Sequence, residues 1–198
     1  MPFPSRLVIA TRNPGKVREI LEICNGWPVE WVTYETASWP DVEETGEGYL
    51  ENALLKARTA ADAVGTSSLA DDSGIEVDAL GGDPGPRSAR FAGEQASDEE
   101  NLRLLIDRIQ AVGEDQRSAR YRCIAACAWP DGGDLWAEET CEGKLIVEPR
   151  GTGGFGYDPI FVPDGYERTM AELTSEEKHL ISHRGKAFRR LKALIATR

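Results

Sequence analysis

The chain has 198 residues, with 34 acidic against 23 basic side chains and a formal net charge of −11. That balance argues against nonspecific DNA binding, and any polyphosphate ligand would need a local cluster of Lys and Arg together with a divalent cation. The length and 40% hydrophobic content fit one domain with a full core; no apolar run approaches the roughly 20 residues that span a bilayer, and the N-terminus lacks a signal-peptide pattern, so a cytoplasmic setting is expected.

Leu7 to Ala10 is an apolar run ending in a polar turn, which reads as a buried strand. A helix follows: Asn13 suits the N-cap and Pro14 the first helical position, while Val17, Ile20, Leu21 and Cys24 share one face and leave Arg18, Glu19 and Glu22 outward. Val29 to Tyr34 reads as a second strand, and residues 35–48 as a long acidic surface loop. Tyr49 to Val64 has helical composition with Gly65 as its stop.

Ser68 to Ala70 and Ile75 to Leu80 read as two strands flanking an acidic turn at Asp71-Asp72-Ser73-Gly74. An amphipathic helix is expected from Asp98 to Val112, a strand from Ser118 to Trp129, and a partner strand from Leu135 to Val147. Ile160 to Val162 is a short strand, Thr174 caps a helix, and Lys186 to Ala196 forms a basic amphipathic one. Cys24, Cys123, Cys127 and Cys141 lack metal-ligand spacing and read as reduced structural thiols.

Three segments carry chemistry. Thr11-Arg12-Asn13-Pro14-Gly15-Lys16 joins a strand to a helix N-terminus, where free N–H groups and the dipole favour an anion. It is not a Walker A loop, and a plain capped helix with an exposed lysine remains open. Asp71 and Asp72, if extended, point one inward and one outward; a carboxylate there could hold Mg²⁺ or orient water, or the segment could be an Asx turn. Glu43 and Glu44 could complete a metal site or simply be solvated, and Lys56 could reach a phosphate or snorkel to the surface.

The third segment is Gly153-Gly154-Phe155-Gly156-Tyr157-Asp158-Pro159, where glycines permit close approach beside two rings that could stack a base or fill the core. His183 and Arg184 supply donors for carbonyl acceptors, or form the solvated start of a basic helix. No Ser-His-Asp nucleophile is implied.

The stretches LVIATRNPGKVREI, EETGEGYLENALLKAR, LADDSGIEVDALGGDPGPRSARFAGE, GTGGFGYDPIF and AELTSEEKHLISHRGKAF resemble the inosine triphosphate pyrophosphatase family, the XTP/dITP diphosphatases that remove noncanonical purine nucleotides. The resemblance implies an α/β fold with a long mixed central sheet flanked by helices, two lobes with the active site in the cleft between them, and a homodimer. It also implies one nucleoside-triphosphate pyrophosphatase domain over residues 1–198, releasing the monophosphate and pyrophosphate with Mg²⁺.

By the same resemblance, Thr11, Arg12, Asn13, Pro14, Gly15, Lys16 and Lys56 bind phosphates, Glu44 and Asp72 hold Mg²⁺, Asp72 is the proton acceptor and Ser73 contacts substrate. Phe155, Gly156, Tyr157 and Asp158 form the base-binding loop, Lys178 is a further substrate contact, and His183 with Arg184 reads the 6-keto edge. Donors aimed at O6 favour hypoxanthine or xanthine over adenine, since a mismatched buried donor costs about 1–3 kcal/mol. Arg12 stands where many relatives have glycine and could add charge near the phosphates. Two other readings stay open: a catalytically silent nucleotide-binding module, and a pyrimidine or modified-nucleotide pyrophosphatase, which the His183-Arg184 pair disfavours.

Overall fold

Strand β1 (Arg6–Ile9) is parallel to both β2 (Glu30–Val32) and β3 (Ser68–Val77), with Leu7 opposite Trp31 and Ile9 opposite Leu69. The computed structural model describes residues 3–42 and 48–198. Strands β4 (Ser118–Trp129), β5 (Gly133–Leu145) and β6 (Phe161–Pro163) complete the order β2-β1-β3-β4-β5-β6. Because β5 and β6 are antiparallel, the sheet is mixed, as expected. The helices are α1 (Pro14–Ile23), α2 (Tyr49–Val64), α3 (Asp98–Ile109), α4 (Ser175–Ile181) and α5 (His183–Thr197).

The chain divides into two compact units, one of residues 1–72, 123–139 and 184–198, the other of residues 73–122 and 140–183. In the first unit, the two-residue alternation of its strands sends side chains into two separate cores. Leu7, Ile9, Leu69 and Cys123 pack with Ile20 and Cys24 beside α1 and with Phe188, Leu191 and Ile195 of α5. On the opposite face, Val8, Ala10, Ala70, Ile124 and Ala126 pack with Ala53, Ala57, Ala60 and Ala61, whose small side chains let α2 approach closely. In the second unit, Ile75, Val77, Tyr121, Leu145 and Phe161 pack with Leu105 and Ile109 of α3 and with Tyr157 and Met170.

Local signals set most helix ends. The Asn13 side chain accepts the Lys16 N–H at 3.1 Å with Pro14 following it, α2 ends on Gly65 in the left-handed region, and Ser97 and Thr174 both form capping boxes. Three expectations are corrected. The acidic turn at 71–74 does not exist: β3 runs unbroken from Ser68 to Val77, because both faces of this strand are covered and its carboxylates are ion-paired. Glu19 is not outward but buried, 7% exposed, because an arginine from α5 meets it. The last helix begins at His183 rather than Lys186, and its start is not solvated, His183 and Arg184 being 4% and 2% exposed.

Glu43 and Glu44 lie outside the described residues. The four cysteines form no disulfide and are buried, and burial pushes the Cys127 thiol up to about 12. Among the described residues no helix is long and apolar enough to cross a membrane.

Gly74 shows how tightly β3 is backed in the second unit. A Cβ there would lie 2.1 Å from the Gly85 carbonyl oxygen and 2.6 Å from Ser88 Oγ, and the Ser88 hydroxyl is already engaged, accepting the Ile75 N–H at 2.8 Å and donating to Gly85 O at 2.6 Å. Backbone cannot give way as a flexible side chain can. Gly74→Ala is therefore expected to destabilise the protein by about 1–3 kcal/mol, read as a lower urea midpoint at unchanged m-value; an unchanged midpoint would mean that the 85–88 segment shifts freely.

Candidate functional site

Two successive carboxylates organise the first unit. As neighbours on an extended strand, Asp71 and Asp72 face opposite sides, yet both are buried, at 0% and 3% exposure. The expectation that one would point outward fails because helices cover both faces. Asp71 lies on the α1 and α5 side: its Oδ2 accepts from Arg184 Nε at 3.2 Å and Nη2 at 3.0 Å, and Lys16 Nζ stands 3.3 Å away. Arg184 Nη1 donates to Glu19 Oε2 at 2.5 Å. Asp72 lies on the α2 side, where Lys56 Nζ reaches Oδ1 and Asn52 Nδ2 reaches Oδ2, each at 3.1 Å.

Burial alone would raise the Asp71 carboxyl, but the positive charges of Lys16, Arg184 and Lys56 more than reverse this and hold it well below the usual carboxylate range. Its folded value lies below its unfolded one, so its contribution to stability is complete above the ordinary carboxylate range of about pH 4 and is lost only on strong acidification. Lys16, Lys56 and Arg184 balance Glu19, Asp71 and Asp72 in formal charge. Lys56 is thus neither snorkelling nor solvated.

Thr11 to Lys16 runs from the end of β1 into the first turn of α1, which contains no acidic residue. Thr11 Oγ1 accepts the Asn13 N–H at 3.2 Å, fixing the turn. Pro14 and Gly15 occupy the first two helical positions. Arg12 donates to the Trp39 carbonyl at 2.7 Å and pairs with Asp41, so its charge is spent on the following loop.

The second unit gathers Phe155, Gly156, Tyr157, Asp158, Lys178 and His183. Asp158, 3% exposed, is the hub: Oδ2 accepts Lys178 Nζ at 2.6 Å and the Phe155 N–H at 2.8 Å, while Oδ1 accepts the Tyr121 hydroxyl at 3.2 Å. Gly154 sits at φ +70°, and a Cβ on it would meet Asp158 Oδ2 at 2.0 Å and Lys178 Nζ at 3.0 Å. Only glycine lets the loop close over this ion pair. The Gly156 N–H donates to Asp98 at 3.2 Å.

The two aromatic residues separate in role. Tyr157 belongs to the core, 5% exposed, its hydroxyl donating to the Ser88 carbonyl at 2.7 Å, and burial raises its phenol above the ordinary range. Phe155 is half-buried, with the Lys178 ammonium 5.3 Å from its ring centre. His183 lies flat on Tyr121, centroids 4.5 Å apart and planes 6° from parallel. Ser73 continues β3 immediately after Asp72.

Sequence reasoning passed over Glu19, Asn52, Asp98 and Tyr121. Asn52 precedes Lys56 by one helical turn, and that i, i+4 spacing could have flagged it as a partner of the same acid. Nothing local distinguishes Tyr121 from other core-facing strand residues. Among the described residues no cluster of three His, Cys, Asp or Glu forms a metal centre.

The mixed sheet, with buried acid–lysine pairs in the same unit as an acid-free helix N-terminus, defines an α/β protein with a charged candidate site. The Ham1 family profile matches residues 7–194, and the chain belongs to that family. It is 49% identical over 194 residues to a dITP/XTP pyrophosphatase of Streptomyces coelicolor, covering 96% of this chain and 97% of that one. The dITP/XTP pyrophosphatase of Bacillus subtilis is 45% identical, with 95% and 96% covered. Among solved structures, a HAM1 protein from Coxiella burnetii superposes with a TM-score of 0.86 at 38% identity, over 98% of this chain and 99% of that one. The Staphylococcus aureus Ham1 protein gives 0.83 at 39% identity, over 96% and 97%.

Removing the Asp71 charge would leave Arg184 and Lys16 without the anion between them. Asp71→Asn is expected to cost about 3–5 kcal/mol of stability, the usual penalty for breaking a buried pair from one side, measured by chemical denaturation near neutral pH. A loss within 0.5 kcal/mol, about the scatter of surface substitutions, would show that the pair is not needed for the fold.

Proposed function

We propose that this chain hydrolyses the noncanonical purine nucleoside triphosphates ITP, dITP and XTP to the monophosphate and pyrophosphate, clearing them from the nucleotide pool as a single functional domain. The observation that carries the reading is the Asp72 carboxylate gripped at both oxygens by Lys56 and Asn52, in the same unit as Lys16 and the acid-free start of α1. Membership of the Ham1 family, in relatives of nearly equal length named for this activity, supports it.

The triphosphate is assigned to Thr11 to Lys16 and to Lys56, where the positive end of the α1 dipole and two ammonium groups face its charge. Asp72 orients a water and accepts its proton as the water oxygen bonds to the α-phosphorus. The bond from that phosphorus to the α–β bridging oxygen breaks, and pyrophosphate leaves with that oxygen. Lys56 and Asn52 fix the plane of the carboxylate, so the reaction draws on positioning and fixed charge rather than a covalent intermediate.

The formal charges of the Asp71 and Asp72 networks balance, so a triphosphate adds negative charge that these residues do not offset. Oxygen donors suit a hard cation such as Mg²⁺: Asp72 contributes a carboxylate, and Asn52 Oδ1 is a buried oxygen with no hydrogen-bond partner among the described residues. Asp72, with Glu44, is proposed to hold the ion, which supplies the missing neutralisation when bound.

For the base, Phe155 offers the accessible ring, Lys178 and Asp158 shape the loop around it, and Ser73 is a further substrate contact. Reading of the 6-keto edge is assigned to His183. Arg184 is assigned to the same edge; its Nε, Nη1 and Nη2 also bond to Asp71 and Glu19, so it neutralises those acids as well. The enzyme is proposed to act as a cytoplasmic homodimer.

Purified protein with Mg²⁺ should convert ITP and XTP, far faster than ATP, to monophosphate plus pyrophosphate, with chelation by EDTA abolishing turnover. Nucleoside diphosphate and orthophosphate as products would reject the assigned bond. Asp72→Asn should lower kcat at least on the order of a hundredfold with circular dichroism unchanged; near-normal kcat would remove Asp72 from the chemistry.

A further inference from the structure

Tyr121 connects two residues that come from separate elements and are assigned to the base. Its ring, 7% exposed, lies parallel to the His183 imidazole at 4.5 Å, and its hydroxyl donates to Asp158 Oδ1 at 3.2 Å. The other oxygen of that carboxylate holds Lys178 and the Phe155 N–H. Tyr121 is itself held edge-on by Phe161, centroids 4.8 Å apart and planes at 61°. One side chain on a rigid strand therefore sets the plane of an imidazole and tethers the carboxylate around which the 155–158 loop is folded.

We propose that Tyr121 is a positioning residue for purine selectivity, acting through His183 and Asp158. The inference rests on the assignment of His183 and the Phe155–Asp158 loop to the base. A hydrogen bond to a purine edge is directional and weakens steeply when its angle is lost. An imidazole free to tilt would still contact a purine but would discriminate poorly between a 6-keto acceptor and a 6-amino donor. The two parts of Tyr121 then have separable effects: its ring fixes the imidazole plane, and its hydroxyl steadies the loop through Asp158.

The test uses Tyr121→Phe, Tyr121→Leu and Tyr121→Met in the full chain, with kcat and KM measured for ITP and for ATP. The chain has only two histidines, so the ring protons of His183 can be followed by NMR, assigned with His179→Gln. Stacking on a tyrosine displaces those protons upfield. Tyr121→Phe should keep that displacement and the ITP-over-ATP ratio of kcat/KM, while KM for ITP rises a few-fold. Tyr121→Leu should lose the displacement and lower the ratio at least tenfold, chiefly through KM for ITP.

Tyr121→Met retains volume without a ring and gives the same prediction should the leucine variant not fold. A folded Leu or Met variant that loses the displacement but keeps the ratio within twofold overturns the proposal. His183→Ala separates the two levels of inference. If it relaxes selectivity while the ring-less Tyr121 variants do not, only the role of Tyr121 fails; if it leaves selectivity intact, the assignment of the base end fails and the proposal falls with it.

Discussion

Two consecutive aspartates in a strand covered on both faces impose the strictest constraint on this molecule. An ionised carboxylate removed from water is costly unless it is paired and hydrogen-bonded, and here the pleat turns the two acids to opposite sides. Each side must then deliver its own cations. Lys16 from α1 and Arg184 from α5 meet Asp71, whereas Lys56 and the Asn52 amide from α2 meet Asp72. The helices that bury the apolar residues of these strands are the same ones that bring the balancing charges, so packing and electrostatics fix one arrangement together.

The two acids differ in what surrounds them. Asp71 has no exposed surface and shares Arg184 with Glu19, a closed network suited to holding α1, α5 and β3 together. Asp72 is bonded by one amide and one ammonium and keeps a small exposure. A carboxylate fixed in plane but not fully enclosed is suited to meeting a water. On the proposed reading, adjacent positions on one strand separate a structural charge from a chemical one, with no more than a peptide plane between them.

Much of this was legible locally. Asn13-Pro14, Gly65 and Thr174 are signals that act within one helical turn, and the helices they bound appear where the periodicity places them. Asp71-Asp72-Ser73-Gly74 misled because each of those residues favours turns when judged alone. The partners that keep this stretch extended lie from 16 to 113 residues away, and a local window cannot contain them. Glu19 misled for the same reason: the pattern of α1 puts it outside, and only an arginine 165 residues later draws it in. The motifs point to Asp72, Asp158 and His183 as candidates, but Asn52 and Tyr121, which touch those residues, have no motif of their own.

The glycine-rich loop sharpens what sequence can say about a ligand site. Glycines beside an aromatic residue suggest backbone left open for a ligand, yet Gly154 is required by the protein itself, since any side chain there would strike the Asp158–Lys178 pair. Phe155 is thereby fixed through its own N–H, and Tyr157 is anchored to Ser88. Such a loop is organised before a ligand arrives, so little ordering entropy is lost on binding and a poorly matched ligand gains little from local rearrangement. On the proposed assignment of this loop to the base, rejection of a wrong base follows from donors that cannot move to meet it, which makes the residues that immobilise those donors as important to selectivity as the donors themselves.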